Sequence, residues 1–231
     1  MQVRSAQVPS EALPLAPGIA LIFDMDGVII NSMPLHEESW SAYLFSLGIE
    51  PLDLAGRMHG RRNDEIVRSF LGTDASDQEV FAHGAAKENL FRQMMAPQLE
   101  RWIVPGIREF LDSFEDVPTG LATNAERANA DFVLDGANLR RYFQVIADGS
   151  QVQHAKPAAD IYQLVASKLG IHPRNCIVFE DSTVGVAAAR AAGARVVGVQ
   201  TQGTPLSGVD LLIADFNSPE LTDWLAAQCK I

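Results

Sequence analysis

Short apolar runs alternate along this chain with segments whose apolar residues recur every three or four positions. Residues 19–23, Ile-Ala-Leu-Ile-Phe, form the first run, bounded by Gly18 and Asp24, and read as a strand buried on both faces. Comparable runs follow at residues 120–122, 144–147, 176–179, 195–199 and 211–213, with helix-period segments at 125–136, 158–169, 183–192 and 219–228. The alternation predicts parallel strands joined by right-handed crossovers with helices on both faces, a doubly wound α/β sheet.

The rhythm breaks between residues 33 and 102, where residues 35–47, 64–71 and 77–95 read as amphipathic helices with no strand among them. Pro34 opens this insert and Pro105-Gly106 closes it before the next core helix, so both crossings carry residues that punctuate regular structure and suit hinges. The expected organisation is an extension over residues 1–17, a core built from 18–32 and 103–231, and an inserted all-α cap over 33–102.

Composition narrows the partners. A chain of 231 residues that is 47% hydrophobic and 20% charged has the profile of a folded protein. Its formal charge of -11 repels nucleic acid and anionic lipid as main partners, while a small anion remains possible beside a local cation. No stretch approaches the roughly 18 apolar residues of a membrane span, and residues 1–17 lack the apolar core of a signal peptide, so the expected location is cytoplasmic. Cys176 and Cys229 match neither a metal pair nor a disulfide framework; Cys176 sits in an apolar run and reads as a reduced core residue.

The first strand runs directly into Asp24-Met25-Asp26-Gly27, at the strand end where open α/β sheets bind ligands. Two carboxylates this close require a proton or a cation, and a hard divalent ion such as Mg2+ is the economical choice; the alternative is a capping Asp with Gly27 at positive φ. Thr123-Asn124 offers a hydroxyl, an amide and a helix N-terminus to phosphoryl oxygens, or serves as an ordinary N-cap. Lys156 could neutralise a transferring phosphoryl group, or face solvent. Glu180-Asp181 repeats the acidic ending on a second hydrophobic strand, which favours convergence on one ion over two unrelated caps.

Four ordered segments, Phe-Asp-Met-Asp-Gly-Val at 23–28, Ala-Thr-Asn at 122–124, Lys156-Pro157, and Glu180-Asp181-Ser182 with Gly185, resemble the motifs of the haloacid dehalogenase superfamily. The helical insert, Pro34-Leu35-His36 and Pro105-Gly106-Ile107 are similar to its β-phosphoglucomutase-like phosphatase branch. The resemblance spans about residues 18 to 217. It implies a Rossmann-like core under a helical cap, with Asp24 as the nucleophile that forms an aspartyl-phosphate and Asp26 as general acid and base. It also implies Mg2+ held by the Asp24 carboxylate, the Asp26 main-chain carbonyl and Asp181, with Glu180 adjacent or water-mediated. Thr123, Asn124 and Lys156 would hold the phosphoryl oxygens.

The same resemblance makes His36, Arg62 and Lys87 the candidate substrate residues of the cap. His36 and Trp40 lie one turn apart; a solvated helix position is the plainer reading of His36, cap packing that of Trp40, and an exposed helix lysine that of Lys87. Two departures from the branch stand out: Asn63 where an arginine is expected, with Arg61 and Arg62 just before it, and Asn31 where an acidic residue is usual. Dehalogenation is disfavoured because it would leave Asp26 and the Glu180-Asp181 pair idle. The leading expectation is a Mg2+-dependent phosphatase of a small phosphorylated metabolite, a sugar phosphate first, working as a monomer or small homo-oligomer. A β-phosphoglucomutase is the alternative, and a catalytically silent binding protein on this fold the third reading.

Overall fold

The computed structural model describes residues 15, 17–58, 63–201, 203 and 206–228. Most of the 1–17 extension, the segment with Arg61 and Arg62, and Cys229 therefore lie outside the described residues. Among those described, six strands form one parallel sheet: β1 (Ala20–Phe23), β2 (Thr119–Ala122), β3 (Val145–Ala147), β4 (Cys176–Glu180), β5 (Arg195–Val199) and β6 (Leu211–Ile213). Their order is β3-β2-β1-β4-β5-β6. The chain winds outward from β1 through β2 and β3, then returns to β1's other side for β4, so the sheet reverses direction between β1 and β4. A crevice at the carboxyl ends of these two strands follows from the topology.

Because successive strand residues face opposite ways, each strand feeds two cores. Leu21, Phe23, Leu121, Ile177, Phe179 and Val197 enter one, where Phe23 stacks on Phe179 with ring centroids 4.6 Å apart. Ala20, Ile22, Ala122, Cys176, Val178 and Val196 enter the other. The helices before the second strand are α1 (Met33–Ser46), α2 (Leu54–Met58), α3 (Asn63–Leu71), α4 (Asp77–Met95), α5 (Leu99–Trp102) and α6 (Ile107–Ser113). After it come α7 (Arg127–Gly136), α8 (Asp160–Leu169), α9 (Thr183–Ala192) and α10 (Pro219–Gln228). Helices α6, α7 and α10 cover the phenylalanine-rich face, while α8 and α9 cover the alanine- and valine-rich one. The first four helices also supply a third cluster, of Trp40, Leu44, Met58, Ile66, Val67 and Val80, remote from the sheet.

The two crossings into and out of the helical insert pair with each other. Asn31 N donates to Trp102 O at 2.8 Å, Val104 N to Ile29 O at 3.0 Å, and Ile30 and Ile103 form an antiparallel bridge. Pro34 falls in the first turn of α1, and Gly106 caps α6 at φ 79°, so both punctuate the helices that flank this ribbon. No helix among the described residues is long and apolar enough to cross a membrane.

Candidate active site

Asp24 follows β1 and continues its ladder, its amide donating to Phe179 O at 3.0 Å. Glu180 ends β4 beside it, and Lys156, from the segment after β3, reaches under both. The lysine Nζ donates to Asp24 Oδ1 at 2.7 Å, to Glu180 Oε1 at 2.6 Å and to Ala122 O at 3.1 Å. Burial works against a charged Lys156, but the Asp24 and Glu180 carboxylates outweigh it and hold the ammonium well above the usual lysine range. Lys156 is buried, and the solvent-facing alternative is overturned.

Glu180 is fully enclosed, and five donors converge on it. Lys156 and the Tyr162 hydroxyl (2.6 Å) take Oε1; the amides of Asp181 (3.0 Å) and Ser182 (3.1 Å) and the Ser182 hydroxyl (3.0 Å) take Oε2. With its acceptor positions used by protein donors, Glu180 acts as the brace that joins Lys156, Tyr162 and the start of α9. Gly185 makes room for it, since a Cβ there would overlap the Glu180 carboxylate.

The carboxylates of Asp24, Glu180 and Asp181 each offer an oxygen within 4.8 Å of the others. Gly27, at φ 77°, lets Asp181 close in, because a Cβ at Gly27 would overlap Asp181 Oδ2. Burial first, then the neighbouring Glu180 and Asp26 charges, push Asp24 up to about 7 against the pull of Lys156. Burial and the Glu180, Asp24 and Asp26 charges likewise raise Asp181 well above the carboxylate range. Asp24 and Asp181 resist ionising together, and such an all-oxygen cluster is a donor set fitted to a hard divalent cation.

Asp26 turns the other way. Its Oδ1 accepts from Ser32 Oγ at 2.5 Å and lies 3.6 Å from His36 Nε2. Burial opposes ionisation, but hydrogen bonds from His36 and Ser32 and the charges of His36 and Lys87 hold this carboxyl below its usual value. Neither Asp24 nor Asp26 caps a helix; the N-cap of α1 is Ser32, whose hydroxyl goes to Asp26 instead.

Thr123 and Asn124 stand past β2, but the helix expected from residue 125 begins at Arg127 with Glu126 as N-cap. Thr123 Oγ1 accepts from Ala125 N at 3.0 Å, a side-chain turn that competes with helix over these residues, and Glu126 is extended at φ -69°, ψ 153°. The site thus receives a turn rather than a helix N-terminus.

In the insert, His36 and Lys87 are both buried, which overturns their solvated readings, and Trp40 packs in the cluster that the first four helices share. Lys87 Nζ lies 2.7 Å from His36 Nδ1, donates to Glu88 Oε1 at 3.0 Å and sits 5.1 Å from the Trp40 ring centroid. Glu88 Oε2 accepts from Asn129 Nδ2 on α7 at 2.7 Å, which carries the polar chain from Asp26 across to the core. Arg92 adds a second crossing, to Glu126 Oε1 at 2.5 Å and Asn129 Oδ1 at 2.6 Å. Arg62 lies outside the described residues. Sequence reasoning missed Ser32, Tyr162, Glu88, Arg92, Glu126 and Asn129. Ser32, a serine two residues before Pro34 and so at a helix start, carried the one local signal.

Comparison with known proteins agrees with this geometry. Over 181 residues the chain is 31% identical to the fructose-1-phosphate phosphatase YqaB of Escherichia coli, spanning 78% of this chain and 95% of that protein. It is 32% identical over 189 residues to a phosphorylated carbohydrates phosphatase of Thermotoga maritima, spanning 78% and 84%. The crystal structure of β-phosphoglucomutase from Clostridium difficile superposes with a TM-score of 0.79 at 25% identity, covering 90% of this chain and 97% of that one. The family model for haloacid dehalogenase-like hydrolases matches residues 20–193. With its acidic tips gathered where the sheet reverses, the chain belongs to the haloacid dehalogenase-like hydrolase family.

Proposed function

We propose that the protein is a Mg2+-dependent phosphatase of a small phosphorylated metabolite, with sugar phosphates its first substrate class, and that residues 33–102 are its cap. The observation that carries this reading is the fixing of Asp24 by Lys156 at 2.7 Å beside Asp181, with Asp26 held separately by Ser32. One Asp24 oxygen is pinned and the carboxylate is thereby aimed. Attack on phosphorus forms the aspartyl-phosphate as the ester P–O bond breaks, and the departing alkoxide takes a proton from Asp26. Water then attacks phosphorus and gives a proton to Asp26 as the bond from phosphorus to Asp24 breaks, which releases inorganic phosphate and restores both side chains.

The Asp24 carboxylate, the Asp26 main-chain carbonyl and Asp181 would hold the Mg2+, with Glu180 bracing from behind. Bound there, the ion supplies the positive charge that lets both carboxylates ionise and an anionic ester approach. Lys156, Thr123 and Asn124 would orient the phosphoryl oxygens. The net charge of -11 disfavours nucleic acid and anionic membrane as partners, and the proposed enzyme is a cytoplasmic monomer or small homo-oligomer.

Phosphate release from a panel of phosphate esters, with and without Mg2+, tests the reading. Turnover should vanish with EDTA and return with Mg2+. Asp24→Asn should lower kcat roughly a thousandfold or more, and Asp26→Asn by about 10² to 10⁴. If Asp24→Asn keeps most of the activity, Asp24 is not the nucleophile.

A further inference from the structure

Tyr162, on α8, is a buried phenol that takes no part in the reaction proposed above, yet it holds the group that steadies the nucleophile. It is 1% exposed, and its helix neighbours Ile161, Val165 and Ala166 all enter the alanine- and valine-rich core with it. Packing alone would be served by phenylalanine; a hydroxyl in such surroundings needs a partner. It donates to Glu180 Oε1 at 2.6 Å. Burial first, then the Glu180 and Asp24 charges, hold the phenol well above its usual range, so it serves as a donor.

The same Oε1 accepts from Lys156 Nζ at 2.6 Å, and Nζ donates also to Asp24 Oδ1 at 2.7 Å. Lys156 is therefore shared between two carboxylates, one that reacts and one that does not. Glu180 is fully enclosed, and an oxygen left short of donors there would draw the ammonium towards itself and away from Asp24. The Tyr162 hydroxyl supplies the second donor to that oxygen. Its ring also stands beside the ammonium, with Nζ 4.9 Å from the ring centroid, a cation–π contact on the side of Lys156 that faces α8. One side chain thus acts on Lys156 twice, through its hydroxyl by way of Glu180 and through its ring directly.

We infer that Tyr162 is a positioning residue for the nucleophile: by satisfying Glu180 it keeps Lys156 on Asp24 Oδ1, and so keeps the Asp24 carboxylate aimed. The inference rests on the phosphatase reading and adds to it a residue that lies outside the four motif segments.

Tyr162→Phe keeps the ring beside the ammonium and removes only the hydroxyl. Phenylalanine fills the same space, so the fold is retained, which circular dichroism checks. Val165→Ala, three residues along α8 in the same core, is the control for lost packing. With Mg2+ and an ester that the wild type cleaves, release of the alcohol in a single turnover reads the step in which Asp24 attacks phosphorus. Tyr162→Phe should slow that step about ten- to hundredfold while the concentration for half-saturation moves by less than about threefold. Val165→Ala should lower the urea midpoint at least as far, yet leave the step within about twofold of wild type. In the metal-free protein, the nitrogen NMR resonance of the Lys156 ammonium should shift in Tyr162→Phe and stay in place in Val165→Ala. A step no slower in Tyr162→Phe than in Val165→Ala, a loss confined to half-saturation, or a Lys156 resonance that does not move overturns the inference and leaves the phosphatase standing. A wild-type protein that releases phosphate from no ester removes the phosphatase reading and this inference with it.

Discussion

Gly27 and Gly185 hold open the space that two acidic side chains occupy, and each would collide with a carboxylate if it gained a methyl group. Gly185→Ala should displace Glu180 and with it Lys156, Tyr162 and the start of α9. A loss of about 1 to 3 kcal/mol in urea denaturation is expected, together with a fall in kcat. Asp24, Asp26, Glu180 and Asp181 could be read from the sequence because apolar runs that end on charge are conspicuous. Tyr162 could not, since it meets Glu180 across 18 positions from the middle of a helical pattern. Arg92 and Glu126 are 34 positions apart and look like ordinary surface charges until the fold brings them together. Cys176 was legible as core, and burial pushes its thiol up to about 11. In a Cys229→Ser background it should resist iodoacetamide at pH 8 until denaturant is added; labelling of the native protein would contradict that.

At the scale of elements, long helical periods and short apolar runs alike are legible. Residues 77–95, 183–192, 195–199, 211–213 and 219–228 were expected where α4, α9, β5, β6 and α10 stand. Helices α2 and α5 span five and four residues, too short for a period of 3.6 to show. Helix α7 starts two residues after the expected position because Thr123 bonds the backbone locally, a choice that residue type alone leaves open. Ser182 caps α9 by accepting from Gly185 N at 3.1 Å, so Ser182→Ala should cost about 1 kcal/mol, readable as a lowered Tm. Asp210 ties β5 to the approach of β6, accepting from Val196 N at 2.7 Å and pairing with Arg190 at 2.8 Å. Burial alone would raise its pKa, but these partners lower it. A folded pKa below the unfolded one gives stability in full above about pH 4, lost as pH falls through the folded value. Asp210→Asn should therefore destabilise at pH 7 and have a smaller effect at pH 3, as urea midpoints at the two pH values will show.

Across the whole molecule, the ends of the strands carry the acidic cluster and the helical insert supplies walls of the cavity beside it. Glu88 to Asn129 and Arg92 to Glu126 are the polar ties between the layers, and the sequence concealed them because each joins segments that belong to different periodic patterns. Asn129→Ala removes a partner from both Glu88 and Arg92. Amide exchange in α1 and α4 should quicken in that variant while β1 and β4 keep their protection; unchanged exchange would show that the ties do not hold the layers together.

The ribbon formed by Asn31 with Trp102 and Ile30 with Ile103 brings the exit and re-entry of the insert side by side. A tight turn could bridge that gap without unpicking any strand beneath it. The far storey of this molecule, around Trp40 and Val80, can therefore be enlarged or trimmed along a lineage, while Leu35, Phe91, Met95 and Leu99, which share the core of the sheet, anchor its lower edge.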